Sequence, residues 1–299
     1  MSIRPKITVI TAVFNAAATI EQTMVSVLSQ DYPAFEYVIV DGGSTDGTLS
    51  VIQKYADKDT RLHYISEADH GIYDAFNKGV CLSKGEYIEF IGADDALANK
   101  HVLGEIAKQL TPDVDMLCGL EYDIVYRSDG KFVQHLMCPE LPEAEKRLAC
   151  NDLVPMIPHE ATFIRRTLLE MYPFDRSYRI AGDYKFFLQC LYDQNVKFQK
   201  SNTVVLFFSK TGISSAKANT QVQKEYSRIH QELGLPAYQR YLTPWKRRIC
   251  SVLQCMPLWN WILHSYRILH LKFNLYFLWH EHHCTNQICR WCGRERGNK

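Results

Sequence analysis

The sequence predicts an α/β protein with a mostly parallel, doubly wound central sheet, a mixed second region and a helical C-terminal tail. Three observations predict it. Over residues 7–91, apolar strand-like segments alternate with segments of helical periodicity. Aspartate-rich runs follow the strands, at the edge where such sheets bind ligands. The length of 299 residues allows one large domain with an appendage.

The first predicted unit is a strand at Ile7–Val13, which is β-branched and nearly continuous in apolar character. A capping box formed by Thr19 and Gln22 is predicted to start the next helix, which extends through Gln30. The unit then repeats. Further strands are predicted at 37–40, 62–65 and 87–91, and further helices at Thr48–Ala56 and Ile72–Leu82.

After residue 113 the pattern predicts a mixed or antiparallel region. Strands are expected around 114–118, 122–126 and 132–137, with Ser128-Asp129-Gly130 as a hairpin turn signal. A loop containing prolines leads to His159, and helical spacing predicts a helix from near Asp183 to about Asp193. We therefore predict a main domain over residues 1–215 and a helical, basic region over 216–299.

The formal net charge of +1 hides an asymmetry between the body of the chain and its tail. Residues 240–299 hold ten Lys and Arg against two Asp and Glu, so the body is net acidic, which argues against nucleic-acid binding.

The ten cysteines lack the regular spacing of a disulfide framework, and no secretory signal is readable after Met1. Free thiols and a cytoplasmic location are therefore expected.

The tail contains a predicted helix at Leu258–Trp279 with a narrow polar stripe on an apolar surface. With the basic run Lys246-Arg247-Arg248, it favours attachment in the plane of a membrane surface over a spanning helix. The alternative is packing on the main domain or on a second subunit in a homodimer. The histidines and cysteines at 282–292 resemble a zinc site, with reduced cysteines near a frayed terminus as the alternative.

Asp41 begins the run Asp41-Gly42-Gly43-Ser44-Thr45-Asp46-Gly47, which follows a predicted strand and opens a helix. Its glycines permit tight turning and close approach of a ligand, but the Lys of a phosphate-binding P-loop is missing. The Asp41 carboxylate could accept a hydrogen bond from the imide NH of a uracil ring. The alternative is an Asp-Gly-rich turn without a ligand.

Asp94 and Asp95 are adjacent at the end of a predicted strand, where neighbouring side chains point to opposite faces. One could meet a metal and the other a ribose. Mg²⁺ or Mn²⁺ suits such a site, because these hard cations bind through one or two carboxylates plus substrate phosphate oxygens. The alternative is a solvated helix cap ahead of Leu97.

Asp183 follows Gly182 at the start of a predicted helix. It could act as a general base that removes a proton from a hydroxyl group. It could equally be a helix N-cap without a chemical role. The residues alone leave both readings open.

Six segments in order carry a resemblance to a known family. They are Thr11-Ala12-Val13-Phe14-Asn15, Val40-Asp41-Gly42-Gly43-Ser44-Thr45-Asp46-Gly47-Thr48, Glu67-Ala68-Asp69-His70-Gly71-Ile72-Tyr73-Asp74-Ala75-Phe76-Asn77-Lys78-Gly79, Gly92-Ala93-Asp94-Asp95, Pro158-His159-Glu160-Ala161-Thr162-Phe163 and Ala181-Gly182-Asp183-Tyr184. Over about residues 5–215 the chain resembles the family-2 inverting glycosyltransferases of the bacterial surface-polysaccharide type. That resemblance implies the GT-A nucleotide-diphospho-sugar transferase fold.

The resemblance also implies a role for residues in each segment. The donor-binding residues implied are Thr11, Val13, Asn15, Asp41, Asp69, Gly71, Asn77 and Asp94. Asp95 becomes the metal ligand, assisted by Asp94, and Asp183 the catalytic base. His159 becomes a group on the acceptor or diphosphate side, with a structural histidine as the alternative.

The chain departs from the family pattern at several positions. Thr11 stands where proline is common, Phe14 where tyrosine is usual, and Ala93 where many relatives carry a first carboxylate. A Gln-x-x-Arg-Trp sequence is missing, which argues against a processive polysaccharide synthase.

The resulting hypothesis is a Mg²⁺- or Mn²⁺-dependent enzyme that transfers a sugar, with inversion, from a nucleotide-diphospho-sugar donor to a lipid-linked or saccharide acceptor. A UDP-sugar is preferred by resemblance, and the process implied is cell-surface polysaccharide synthesis. The enzyme would be cytoplasmic and attached peripherally to the inner face of the cell membrane.

One alternative function is nucleotidyl transfer, which normally needs a Gly-rich signature with a basic residue. The other is a membrane-attached nucleotide-sugar-binding scaffold without turnover.

Overall fold

The computed structural model describes residues 6–126, 132–137, 157–193, 195–209 and 219–235. All of them belong to one unit of the chain, residues 1–238. The predicted tail helix at Leu258–Trp279, the cluster at 282–292 and the turn at Ser128-Asp129-Gly130 lie outside the described residues.

In the described residues, nine strands form one sheet in which the neighbouring strands follow the order β3-β2-β1-β4-β8-β6-β9-β5, with β7 paired to β6. The strands are β1 (Ile7–Val13), β2 (Phe35–Asp41), β3 (Leu62–Ser66), β4 (Tyr87–Phe90), β5 (Ala96–Leu97), β6 (Met116–Tyr126), β7 (Phe132–Met137), β8 (Thr162–Arg165) and β9 (Phe198–Ser209). The helices are α1 (Ile20–Leu28), α2 (Thr48–Ala56), α3 (Ile72–Leu82), α4 (Val102–Ala107), α5 (Arg166–Met171), α6 (Gly182–Tyr192) and α7 (Asn219–Glu232), with a 3₁₀ turn at His159–Ala161.

The parallel half of the sheet is formed by β1 to β4. β1 pairs in parallel with β2 on one side and β4 on the other, and β2 pairs in parallel with β3. The register places Val13 beside Asp41, and Asp41 beside Ser66, so the carboxyl ends of three strands meet at one edge. The predicted parallel α/β sheet is confirmed.

The second half of the sheet is mixed, as predicted. β8 is antiparallel to both β4 and β6, and β9 is parallel to β6 and antiparallel to β5. The two strands predicted around 114–118 and 122–126 are one strand, β6, with register shifts between Cys118 and Glu121. A bulge keeps a strand paired while displacing its register, which sequence alternation alone reads as a break.

Two hydrophobic clusters lie on opposite faces of the sheet. Ile7, Val9 and Val13 of β1 join the cluster that contains residues of α1, α2 and α4, whereas Ile10 joins the one that contains residues of α3, α5 and α6. This alternation is the period of two expected of a strand covered on both faces. The core thus supports the loops at the carboxyl edge from both sides.

Some local predictions are wrong in detail. Thr19 is the N-cap of α1, but its side chain makes no capping hydrogen bond, so the predicted capping box is absent, and the helix ends at Leu28 rather than Gln30. Cys81, Cys118 and Cys190 are free thiols, as expected for the cysteines in the described part of the chain.

Helix α7 belongs to the region that the sequence separated from the main domain. It packs on the described core, because Ile229 is fully buried in the cluster that contains residues of α3, α5 and α6. Within the described ranges, no helix has the length and apolar character needed to cross a bilayer.

Candidate active site

Asp41, the last residue of β2, is fully buried. Its carboxylate accepts hydrogen bonds from the hydroxyls of Ser44 at 2.5 Å and Ser66 at 2.6 Å, and from the Ser44 backbone N–H at 3.2 Å. These bonds fold the glycine-rich loop back onto the strand ends. A hydrogen bond from a nucleotide base to Asp41 stays a prediction. The base would be a further donor to a carboxylate that has about four acceptor positions.

Asn15 fastens the end of β1 to the same loop. Its backbone N–H donates to the Ser44 hydroxyl at 2.8 Å, and its side-chain oxygen accepts from the Thr45 N–H at 2.9 Å. Asn15 has a φ of +51°, a left-handed conformation that asparagine adopts more readily than most residues. The neighbouring Phe14 side chain is left 64% exposed at this edge.

Thr11 and Val13 are core residues in the structure. Thr11 is fully buried with its hydroxyl 2.9 Å from that of Tyr37, and Val13 is 4% exposed. Direct contact between a ligand and Thr11 would therefore require neighbouring atoms to move. Contacts of Thr11 and Val13 with a nucleotide stay predictions. In the structure these two residues pair with β2 and so place the end of β1 beside the end of β2.

Asp69 connects the loop before α3 to the loop after β2. Its Oδ2 lies 2.5 Å from the point that a Cβ on Gly42 would occupy, so a larger residue at position 42 would collide with it. Its Oδ1 accepts the Gly71 N–H at 2.9 Å, and Gly71 has a φ of +111°, which L residues rarely adopt. The two glycines therefore bring Asp69 to the edge that carries Asp41.

Asn77 lies further along α3 and is engaged by the backbone of Phe174. Its amide nitrogen donates to the Phe174 carbonyl at 2.8 Å, and its oxygen accepts the Phe174 N–H at 3.0 Å. It also lines a cavity of about 430 Å³ with Asp74, Arg166 and Arg176. The structure thus joins Asn77 to the segment after α5, and its predicted role in the donor cleft stays a prediction.

Asp94 and Asp95 lie in a turn after β4. A Cβ on Gly92 would come 2.5 Å from Oδ2 of Asp95 and 3.3 Å from Oδ1 of Asp94, so both carboxylates converge beside Gly92. The prediction that they point to opposite faces is wrong, because it assumed strand geometry. The helix-cap alternative is wrong as well, since Leu97 lies in β5.

Asp95 is 2% exposed and is held by two backbone N–H groups, from Ser209 at 2.7 Å and Gly92 at 3.1 Å. Burial raises the pKa of Asp95 to about 8, and the charges of Glu160 and Asp94 add to this effect against those hydrogen bonds. The ionised form of Asp95 is therefore disfavoured unless a positive charge is bound beside it.

The donor set fits a hard divalent cation. Its ligands would be the carboxylate oxygens of Asp94 and Asp95, because hard divalent cations bind through oxygen ligands of this kind. Among the residues described, no group of three or more His, Cys, Asp or Glu is arranged to hold a metal ion by itself. Remaining ligands would have to come from a bound substrate or water, as is usual for Mg²⁺.

Asp183 is held on both oxygens by side chains from other elements. His159 Nδ1 lies 3.3 Å from Oδ2, and the Tyr73 hydroxyl lies 2.9 Å from Oδ1. Ala181, not Asp183, is the N-cap of α6, so the N-cap alternative is wrong. The Asp183 side chain is 24% exposed, which leaves it accessible to a ligand.

The two members of the His159–Asp183 pair have pKa values displaced in opposite directions. Burial disfavours charge on His159, but the Glu160 charge and the hydrogen bond to Asp183 outweigh it and raise the pKa of His159 to about 10. Burial also opposes charge on Asp183, but His159 and the Tyr73 hydroxyl hold its pKa below the usual range. Near neutral pH the pair is therefore an imidazolium and a carboxylate.

Tyr73, Glu160 and Glu89 were not singled out in the sequence. Tyr73 and Glu160 do lie inside the quoted segments, and Glu89 is an acid in an apolar strand. Glu89 is fully buried, and neither carboxylate oxygen has a hydrogen-bond partner among the described residues. Burial, with the charges of Asp95 and Glu160, raises the pKa of Glu89 well above its ordinary value. The charged form of Glu89 is therefore strongly disfavoured.

Contacts connect these groups across one edge of the sheet. The Asp69 carboxylate lies against Gly42 in the loop after Asp41, and Asp69 precedes α3, which supplies Tyr73 to Asp183. On the other side, His159 pairs with Asp183, and the charge of the adjacent Glu160 acts on Asp95. These links join the loops that carry Asp69, Asp95 and Asp183 to the loop after Asp41, and a single donor cleft between them stays a prediction.

This sheet, with aspartates that follow β2, β3 and β4 at its carboxyl edge, defines the class of GT-A glycosyltransferase folds. The chain is similar to S. aureus TarS 1–349 in complex with UDP-GlcNAc, with a TM-score of 0.57 and 21% identity, covering 79% of this chain and 68% of that one. It is also similar to the mannosyltransferase PcManGT from Pyrobaculum calidifontis in complex with GDP-Man and Mn²⁺. That TM-score is 0.62, with 18% identity over 90% of this chain and 81% of that one.

The chain belongs to glycosyltransferase family 2, because the model of the family described as "Glycosyl transferase family 2" matches residues 8–172. A PGL/p-HBAD biosynthesis glycosyltransferase of Mycobacterium bovis is 28% identical over 270 residues, which cover 86% of this chain and 97% of that protein. A putative teichuronic acid biosynthesis glycosyltransferase of Bacillus subtilis, TuaG, is 32% identical over 166 residues, covering 53% and 64% respectively. The protein is therefore a glycosyltransferase.

Proposed function

We propose that this glycosyltransferase moves a sugar from a nucleotide-diphospho-sugar, with inversion at the anomeric carbon, to a hydroxyl group of a saccharide or lipid-linked acceptor. The observation that carries the proposal is the arrangement around Asp183. Its carboxylate is ionised, partly exposed and fixed by Tyr73 and His159 at distances of 2.9 and 3.3 Å. A general base needs this combination of charge, access and fixed direction.

In the proposed mechanism Asp183 accepts the proton of the acceptor hydroxyl while the hydroxyl oxygen attacks the anomeric carbon. The bond from that carbon to the diphosphate oxygen breaks on the opposite side, and no protein nucleophile is required. His159, protonated near neutral pH, and Tyr73 hold the carboxylate in direction. A divalent cation bound at Asp94 and Asp95 would neutralise charge on the leaving diphosphate.

On the donor side, we propose that the edge formed by Asn15, Asp41, Asp69 and Gly71 receives the nucleotide, and that Phe14 offers its exposed ring there. Uridine is the base proposed, supported by the UDP-GlcNAc complex of TarS. The GDP-Man and Mn²⁺ complex of PcManGT supports a divalent cation and makes guanosine the competing base to test.

The proposed acceptor class and setting are supported by the names of the relatives. They refer to PGL/p-HBAD biosynthesis and to teichuronic acid biosynthesis, which supports a lipid-linked or saccharide acceptor in cell-surface polysaccharide synthesis. The basic tail beyond residue 240 supports peripheral attachment to the inner face of the membrane, where such acceptors are presented.

The test combines binding, turnover and stereochemistry. A panel of UDP- and GDP-sugars is scored for thermal stabilisation of the chain with Mg²⁺, Mn²⁺ or EDTA, since a ligand of the folded state raises its stability. The stabilising donor is then assayed for transfer to saccharide acceptors. A retained anomeric configuration in the product would overturn the inverting scheme.

The matched variants are Asp183→Asn and Asp193→Asn, at opposite ends of α6. We expect Asp183→Asn to lower kcat by about 10²- to 10⁴-fold, the usual contribution of a general base, while donor stabilisation persists. Asp193 accepts from the Tyr172 hydroxyl at 3.0 Å, and Asp193→Asn should leave kcat unchanged. Equal, negligible turnover in wild type and both variants would identify a scaffold instead of an enzyme.

A further inference from the structure

Three consecutive backbone N–H groups just ahead of Asp183 converge on one carboxylate. The N–H groups of Arg179, Ile180 and Ala181 donate to Glu225 at 3.2, 3.0 and 2.9 Å. Glu225 lies on α7 and is 6% exposed. Its Oε1 also accepts from Gln221 Nε2, one helical turn away, at 3.1 Å. A buried carboxylate with several donors of this kind is a strong anchor for a loop.

The same segment is held from its other side by the groups around the base. The Ile180 carbonyl oxygen lies 2.6 Å from the Tyr73 hydroxyl, which lies 2.9 Å from Oδ1 of Asp183. Gly182 sits against the Tyr73 ring, because a Cβ there would lie 2.8 Å from ring carbons. The path of the backbone through residues 179–182 therefore determines the position of Asp183 and the geometry of its contact with Tyr73.

We propose that Glu225 is a positioning residue for the catalytic base: it anchors the segment 179–181 so that Asp183 meets Tyr73 and His159. The inference rests on the proposed function of Asp183. Under this proposal α7 contributes to catalysis by positioning the base, although α7 lies outside residues 8–172, which the family model matches.

Glu225 remains charged in this setting. Burial opposes its ionisation, but the hydrogen bonds from Gln221 and from the N–H groups of residues 179–181 hold the pKa of Glu225 below its usual range. A charged acceptor binds N–H groups more strongly than a neutral one. Replacing it with an amide leaves one acceptor oxygen and places an NH₂ group toward donors.

Helix α7 has other attachments that do not involve Glu225. Glu232 contacts the Tyr178 hydroxyl and the Lys185 ammonium, each at 2.7 Å. The Tyr184 hydroxyl lies 2.8 Å from Nε2 of His230. The helix should therefore stay docked when Glu225 is changed, and Glu232→Gln is a matched control because Glu232 binds side chains instead of the backbone of 179–181.

The experiment compares Glu225→Gln, Glu225→Asp and Glu232→Gln in the full chain. We expect Glu225→Gln to lower kcat by about 10- to 100-fold, the scale of a misplaced catalytic group, with the donor KM within about twofold. Glu225→Asp keeps the charge at a shorter reach and should retain more of kcat, and it serves as the folded variant if Glu225→Gln does not fold. Glu232→Gln should lower thermal stability with little change in kcat.

Amide hydrogen exchange provides a readout that does not depend on turnover. Exchange at residues 179–181 should become faster in Glu225→Gln and stay unchanged in Glu232→Gln, because Glu225 accepts from those amides, whereas the described contacts of Glu232 are with side chains. Unchanged exchange, or an unchanged kcat in Glu225→Gln while the wild type is active, would overturn the positioning role alone. A wild-type chain that transfers no sugar from any donor would instead overturn the proposed function.

Discussion

At the scale of single residues, the charge balance of the site involves the protonated side chain of His159, which lies among several acidic side chains. His159 lies between Asp183 and Glu160, at 3.3 and 3.2 Å, and the charge of Glu121 also acts on it. Beneath them Glu89 is buried without a hydrogen-bond partner among the described residues. The protonated imidazole is therefore a structural element as well as a partner of the proposed base.

The first prediction concerns the pH dependence of stability through His159. Its pKa rises from an ordinary value of 6.5 to about 10 on folding, so the folded chain holds this proton more tightly. The resulting stabilisation is complete below pH 6.5 and is lost as the pH rises through about 10. The free energy of unfolding of wild type and His159→Asn, measured by denaturant titration, should differ most near pH 6 and converge toward pH 10.

The control for this series is His63→Asn on β3, where the histidine side chain is exposed. It should stay within about 0.5 kcal/mol of wild type, as is usual for a surface substitution. A stability difference for His159→Asn that is flat from pH 6 to pH 10 would contradict the raised pKa.

At the scale of elements, the start of α6 is determined by what can fit against α3. Gly182 is the first residue of α6 and faces the Tyr73 ring at a distance that leaves no space for a methyl group. A glycine at the start of a helix can serve a sharp bend, for which a positive φ is typical. Gly182 instead has no positive φ. A glycine is needed at this position because the backbone packs closely against the Tyr73 ring, whose hydroxyl contacts Asp183.

The second prediction compares two glycines at helical positions. Gly182→Ala should destabilise the chain by about 1–3 kcal/mol, because its Cβ would lie 2.8 Å from the buried Tyr73 ring. It should also lower kcat, since relief of the contact moves either Tyr73 or the start of α6. Urea unfolding and steady-state kinetics measure the two effects.

Gly104→Ala in α4 is the matched substitution. Among the described residues its Cβ would meet Asp31 Oδ1 alone, at the ordinary contact distance of 3.8 Å. Alanine in place of a helical glycine adds about 0.5–1 kcal/mol of stability, and kcat should not change. Equal effects of the two substitutions would mean that Tyr73 moves aside without cost.

At the scale of the whole molecule, the sheet order brings together segments that are far apart in the chain. β4 lies between β1 and β8, so the turn carrying Asp94 and Asp95 is flanked by the ends of early and late strands. Ser209, at the end of β9, closes onto Asp95 at 2.7 Å. The site is thus a product of the complete mixed sheet instead of its parallel half alone.

The third prediction concerns the tail and tests peripheral membrane attachment. A chain truncated after residue 238 keeps α7 and Glu225, so it should retain stabilisation by the donor. It should lose partition onto vesicles containing anionic phosphatidylglycerol, because the basic, apolar segment that is predicted to bind them is removed. Vesicle co-sedimentation and thermal shift measure the two properties.

The control is the full chain with Lys246, Arg247 and Arg248 each replaced by Gln. Partition should weaken, and its dependence on salt should flatten, because these charges attract the anionic surface. Unchanged partition after truncation would favour packing of the tail on the domain or on a second subunit. Sedimentation velocity would then separate those two outcomes.

The sequence by itself determined the alternating α/β order, the bounds of α2 and α3, and the aspartates at the strand ends, because hydrophobic period and turn chemistry are local. Only the tertiary structure decided that Asp94 and Asp95 converge at Gly92, that Tyr73 and His159 hold Asp183, and that α7 anchors the loop through Glu225. Partners such as Glu225 and Ala181 are 44 residues apart in the chain, and their pairing follows from packing of whole elements, which no local pattern records.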